Sequence, residues 1–254
     1  MNRNTRIILL PGFGEDKRIF RNIMPHLSEY NTLIVDYQQY LSDYSPRSIR
    51  LEKFVRKLIL IYKITTDDIL IGHSMGGYLA HHIRQRVGCS ICLHSSFVHP
   101  DKIKLLVKNL PIVKWTVKNG LFQSELFKSL SHWKYKSKPS LQEINHVSDL
   151  LEDMGAVNVL KLVLLFYKRK RRFMNWLRSQ PDYQLAPNLI IHPERDNIVA
   201  NPDENHMVVS GDHFSIATHP LETVQLLKDW LNQELGTSKT HQIKPLSTVL
   251  KKAV

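Results

Sequence analysis

The chain has 254 residues, enough for one large domain or two small ones with a sizeable core. Hydrophobic residues make up 43% and charged residues 23%, an ordinary globular balance that excludes a disordered chain, a collagen and a coiled coil. Lys and Arg number 35 against 23 Asp and Glu, and this +12 by itself points to an acidic partner: nucleic acid, an anionic membrane or an acidic protein.

The first half alternates between short apolar runs and helical spacing. Residues 6–11 form an apolar run ending in a glycine turn, which predicts a buried strand. Residues 16–27 carry Ile19, Phe20, Ile23 and Met24 at helical spacing. A second strand is expected over 31–36, around Leu33, Ile34 and Val35. Pro46 is expected to open a helix to about residue 63, with Ile49, Leu51, Phe54, Val55, Leu58 and Leu60 apolar. Residues 68–71 predict a third strand, 76–87 a helix and 89–94 a fourth strand. Strands separated by helices of this length imply crossovers and a parallel sheet covered on both faces.

From residue 98 the alternation stops and long apolar and basic helical patterns follow. Between 98 and 178 there are sixteen Lys and Arg against six Asp and Glu, which places +10 of the +12 in this one segment. It reads as an inserted helical subdomain spanning 98–180, between core parts 1–97 and 181–235. Strands are then expected over 188–192 and 206–210. A final helix opens at Pro220 and runs to about 235, with Leu221, Val224, Leu227, Trp230 and Leu231 on one face. Residues 236–254 lack an apolar face and read as a loose tail.

The N-terminus lacks the long apolar core of a signal peptide, and no stretch approaches the roughly 20 apolar residues of a spanning helix. Cys89 and Cys92 cannot build a disulfide framework, so a reducing, cytoplasmic setting is expected. Their spacing falls inside a predicted strand and reads as core, not as a metal or redox site. His81 and His82 lie in a predicted helix and read as packing or surface residues. No metal-binding helix pattern and no phosphate-binding loop occurs, so no metal or cofactor is expected.

The sharpest feature is Gly72-His73-Ser74-Met75-Gly76-Gly77, with the strand Ile69-Leu70-Ile71 leading in and a helix leading out. A sharp strand-to-helix turn holds a serine in a strained, crowded conformation, and glycines on either side leave room for it. Such a serine needs a base, and the base needs a partner that fixes its tautomer. For this turn the acid and then the histidine follow in the chain. After the strand at 188–192 comes Asp196, the better acid, with Glu194 in the same loop as fallback. After the strand at 206–210 comes His213, the expected base; Asp212 beside it is poorly placed to serve as its acid.

Together, Leu10-Pro11-Gly12-Phe13-Gly14, the turn at 72–77, the Asp196 loop and Gly211-Asp212-His213-Phe214 resemble an α/β-hydrolase-fold serine hydrolase with a helical cap. The resemblance covers nearly all of residues 5–235. It implies Ser74 as nucleophile, His213 as general base and acid, and Asp196 as the residue that orients the imidazole. It also implies an oxyanion hole from the amides of Met75 and Phe13, with Gly12 and Gly14 allowing close approach to substrate. Such enzymes often carry His where this chain has Pro11, a departure that leaves the Phe13 amide available.

In that layout 98–180 is the cap, and Trp115, Phe122, Phe127, Trp133, Phe166, Tyr167, Phe173 and Trp176 line an acyl slot or pack the cap down. The run Lys168-Arg169-Lys170-Arg171-Arg172 is a solvated face or a surface for an acidic partner. The segment 211–220 is similar to the histidine loop of pimeloyl-carrier methyl esterases, which implies an ester or thioester on an acyl carrier protein, or a lipid surface. Nucleic acid is disfavoured, because the aromatic and basic alternation of strand binders is missing. A catalytically silent binding module and a lyase or acyltransferase on the same scaffold are the alternatives.

Overall fold

A computed structural model describes residues 5–104, 110–120, 129, 138–167 and 187–237. Phe122, Phe127, Trp133, Phe173, Trp176, the basic run at 168–172 and the tail from 238 lie outside them.

The apolar runs form six parallel strands: β1 (Arg6–Leu10), β2 (Asn31–Ile34), β3 (Ile69–His73), β4 (Ser90–His94), β5 (Leu189–Pro193) and β6 (Met207–Val209). Their order is β2-β1-β3-β4-β5-β6. The helices are α1 (Leu51–Tyr62), α2 (Met75–Val87), α3 (Leu110–Lys118), α4 (Leu141–Tyr167), the single turn α5 (Ser215–Thr218) and α6 (Pro220–Thr237).

The strands alternate sides with a period of two. Ile8, Leu10 and Leu70 join one core with Phe54, Leu79 and the second half of α4. Ile7, Leu9, Ile69 and Ile71 join the other with Phe20, Leu227 and Leu231. Each fully buried Leu or Ile contributes roughly 1.5–3 kcal/mol, so these two layers carry the fold. After β1 the chain goes outward to β2, then returns past β1 to β3. That reversal opens a crevice at the carboxyl ends of β1 and β3, the place where open α/β sheets bind ligands.

Several boundaries differ from the sequence expectation. Residues 16–27 form two short 3-10 turns, Lys17–Phe20 and Met24–Leu27, not one α-helix. Pro25 lacks an N–H and disfavours helical backbone at Met24, so the helix cannot run through. Its apolar face is nonetheless buried at Ile19, Phe20, Ile23 and Leu27. The helix expected from Pro46 starts at Leu51, because Ser45 and Ser48 close a turn of their own: the Ser45 amide donates to Ser48 Oγ (2.9 Å) and the Ser48 amide to Ser45 Oγ (3.1 Å). Leu60 and Leu221, counted among the apolar residues of their helices, are 75% and 69% exposed.

Between β4 and β5 the described residues include α3 and α4, and before them Ile103 forms an isolated antiparallel bridge with Val199. Gly155 interrupts α4 with φ 70° and ψ 156°. The first half is tied down by Arg21, whose two guanidinium nitrogens donate to Glu143 at 2.6 and 3.1 Å, and by Ser140 Oγ, which donates to Asp212 at 2.5 Å. In the second half Lys161 is buried, and its Nζ donates to the Leu41 carbonyl (3.0 Å) and to Asn158 (2.9 Å). Phe166 packs against Tyr78 and Phe97, whereas Trp115 stands 66% exposed.

Candidate active site

β3 is buried at all five residues and delivers Ser74 directly into the first turn of α2. Ser74 has φ 49° and ψ −119°, a conformation that costs a non-glycine residue about 1–3 kcal/mol. The strain is fixed from several sides. The Ser74 amide donates to the His94 carbonyl (3.0 Å), and the Ser74 carbonyl accepts from Ser96 Oγ (2.6 Å) and the Gly77 amide (3.1 Å). A Cβ on Gly76 would collide with the Leu10 carbonyl, and one on Gly72 with the backbone of Gly77. The glycines at 72 and 76 are therefore dictated by how closely β1, β3 and α2 approach.

His213 lies in the loop between β6 and α5 and reaches back over this turn. Its Nε2 is 3.0 Å from Ser74 Oγ, and its Nδ1 is 2.9 Å from Asp196 Oδ2. All three residues are buried. The other carboxylate oxygen of Asp196 accepts from the amides of Ile198 and Val199, each at 2.8 Å. Burial works to raise the Asp196 pKa, but His213 and those two amides outweigh it and bring it down to about 2. A carboxylate there can only accept, so His213 Nδ1 carries the proton and Nε2 is free to accept from the serine hydroxyl.

The other acids are engaged elsewhere. Glu194 is exposed and pairs with Arg195 at 3.1 Å. Asp212 accepts from Ser140 and from the Phe214 amide (3.1 Å). Met75 opens α2, where a backbone N–H has no acceptor within the helix. Phe13 sits in the loop after β1, half-buried against the core. The Gly12 amide is committed, since it donates to Glu15 Oε2 at 2.5 Å. A shallow surface cleft runs between this loop and α4, past Gly14, Glu15, Val147, Leu150 and Phe214.

Sequence patterns missed one feature. The buried Glu15 carboxylate faces His73 Nδ1 at 2.8 Å, and His73 Nε2 faces the His213 carbonyl at 2.9 Å. A histidine beside the serine in the turn was the only hint, and its partner lies 58 residues away. Glu15, His73 and His213 could offer three ligand atoms within 4.8 Å of one another. The ring nitrogens are all hydrogen-bonded, however, so the set reads as a network and not as a metal centre. Cys89 and Cys92 are buried free thiols; burial pushes Cys89 up to about 12 and Cys92 well upward. His82 is buried against Tyr78, with ring centroids 4.7 Å apart.

The sequence model described as "Alpha/beta hydrolase family" matches residues 7–226. No curated protein sequence matches the chain. Among solved structures the chain is similar to a thermophilic esterase from Thermogutta terrifontis at 14% identity and TM-score 0.64, covering 91% of this chain and 90% of that one. It is also similar to a bromoperoxidase from Bacillus anthracis at 16% identity and TM-score 0.63, covering 90% and 92%. An enol-lactonase from Burkholderia xenovorans LB400 matches at 12% identity and TM-score 0.64, covering 90% and 91%. At such identities the likeness is one of fold.

Proposed function

The chain belongs to the alpha/beta hydrolase family, and we propose that it is a serine hydrolase that cleaves a carboxylic ester or thioester through an acyl-enzyme on Ser74. The observation that carries this reading is the chain of contacts from Ser74 Oγ to His213 to Asp196, at 3.0 and 2.9 Å, around a strained serine.

His213 Nε2 takes the hydroxyl proton as Ser74 Oγ attacks the carbonyl carbon of the ester. Asp196 keeps the imidazole in the required tautomer and stabilises the imidazolium that forms. The amides of Met75 and Phe13 receive the developing oxyanion. His213 then returns the proton to the leaving alcohol or thiol. A water activated by the same imidazole hydrolyses the acyl-enzyme, releases the acid and regenerates the serine. Ionised Asp196 holds this tautomer throughout the neutral range.

Segment 98–180 is read as the cap over this site, on a core formed by 1–97 and 181–235, and its charge supports an acidic docking partner: an acyl carrier protein or an anionic lipid surface. The buried, unpaired cysteines fit a cytoplasmic setting. Among the described residues no helix is long and apolar enough to cross a membrane.

A fluorophosphonate probe is expected to label the wild type at Ser74 and to leave Ser74→Ala unlabelled. A wild type that resists the probe would favour the alternative reading, a silent hydrolase fold that binds an acidic partner.

A further inference from the structure

We propose that Glu15 and His73 are positioning residues for the reacting groups: a second acid–histidine pair beneath the first, tying the loop after β1 to the loop that carries His213. The inference rests on the reading of Ser74, His213 and Asp196 given above.

The hydrogen-bond logic is tightly constrained. The His213 carbonyl can only accept, so His73 Nε2 must carry a proton to donate across the 2.9 Å contact. On the other side, Glu15 Oε2 accepts from the Gly12 amide at 2.5 Å and faces His73 Nδ1 at 2.8 Å. Glu15 and His73 therefore share one proton across the Oε2–Nδ1 contact, while the same oxygen accepts from the Gly12 amide. Burial works against the charge on His73, but the Glu15 carboxylate and the His213 carbonyl outweigh it and hold its pKa above the usual value. His94, 5.8 Å away by ring centroids, is driven well below its usual value by burial and by its histidine neighbours, so it adds no competing charge. Asp196, the His213 ring 5.0 Å away, and Tyr37, whose own pKa the Glu15 charge helps to raise, also face the pair.

The pair touches all three moving parts of the proposed chemistry. Glu15 seats so closely on Gly12 that a side chain at 12 would strike its carboxylate, and its grip sets the backbone next to Phe13. The same loop is held from the far side, where Tyr37 donates to the Gly12 carbonyl and Gln38 to the Glu15 carbonyl (2.6 Å). His73 is the last residue of β3 and immediately precedes Ser74. Its other end holds the backbone of His213 itself. The oxyanion loop, the nucleophile and the base are thereby referenced to one buried pair of side chains. A misplacement of about 1 Å among such groups can cost on the order of 10²-fold in rate.

Isosteric variants of His73 separate positioning from plain stability. The amide nitrogen of Gln can stand where Nε2 stands and donate to the His213 carbonyl, while that of Asn mimics Nδ1 and reaches only Glu15. With a p-nitrophenyl ester and folding checked by circular dichroism, His73→Asn is expected to lower kcat on the order of 10²-fold with KM changed less than about threefold. His73→Gln is expected to recover about tenfold of that loss. Glu15→Gln, which retains an acceptor for the Gly12 amide, is expected to retain more activity than Glu15→Leu. If His73→Asn and Glu15→Leu melt lower but keep kcat within about twofold of wild type, the pair is structural only and the inference is overturned. Equal impairment of His73→Asn and His73→Gln would overturn it as well. A wild type that fluorophosphonate fails to label overturns the Ser74 reading and the inference with it; a labelled wild type with unimpaired variants overturns the inference alone.

Discussion

The sheet core and the inserted segment solve different problems with different means. In the core, each residue of the proposed site is held by fixed polar contacts: Ser74 by His94 and Ser96, Asp196 by the amides of Ile198 and Val199 in its own loop, His213 by Asp196 and His73. The segment from 98 to 178 carries +10 of the net +12. Its described half-helices are fastened to the core by separate polar ties, at Glu143 and Ser140 on one side of Gly155 and at Lys161 on the other. Fixed polar contacts converge on Ser74, Asp196 and His213, whereas the excess charge lies in the segment between β4 and β5.

The largest test of that division is removal of the orienting acid. Asp196→Asn preserves the size of the side chain but places an amide where only an acceptor suits the imidazole. It is expected to lower kcat about 10⁴-fold in steady-state kinetics while leaving the helical circular dichroism unchanged. A loss under about tenfold would mean that the core does not fix the base in this way.

Next in size is acid sensitivity of the core. His81 and His192 are brought down to about 4 by burial first of all, and His94 well below its usual value. A group whose folded pKa is depressed favours the folded state above its unfolded pKa, so that contribution is lost as pH falls from 6.5 towards 4. The depressed Asp196 then adds a second loss between 3.8 and about 2. Urea melts are expected to show stability falling by several kcal/mol, as an order of magnitude, from pH 7 to 4. A flat profile over that range would contradict the buried, neutral histidines.

The smallest expected effect belongs to the insertion. Turnover of a carrier-bound ester is expected to fall about tenfold as salt screens the basic segment, while a small p-nitrophenyl ester changes less than about twofold. An equal response of both substrates would detach the charge from substrate recruitment.

The contrast also explains what could be read from the residues alone. The parallel sheet followed from apolar runs that occur at β1, β3 and β4 with helical spacing between them. Ser74, Asp196 and His213 followed from turn chemistry and chain order, both of which are local. Leu60 and Leu221 could not be placed, because helical periodicity marks the direction of a face and not how far the neighbouring element extends over it. The break in α4 at Gly155 hides within an otherwise continuous helical pattern. The Glu15–His73 pair depends on a contact that only the folded sheet creates, since β1 and β3 become neighbours across 58 residues.

The backbone at Ser74 has an evolutionary corollary. With φ at 49°, this position is one that glycine occupies freely and serine resists. The replacement that would relax the chain most is therefore also the one that removes the hydroxyl. With Ser74 as the proposed nucleophile, selection for durability and selection for reactivity would pull this one codon in opposite directions.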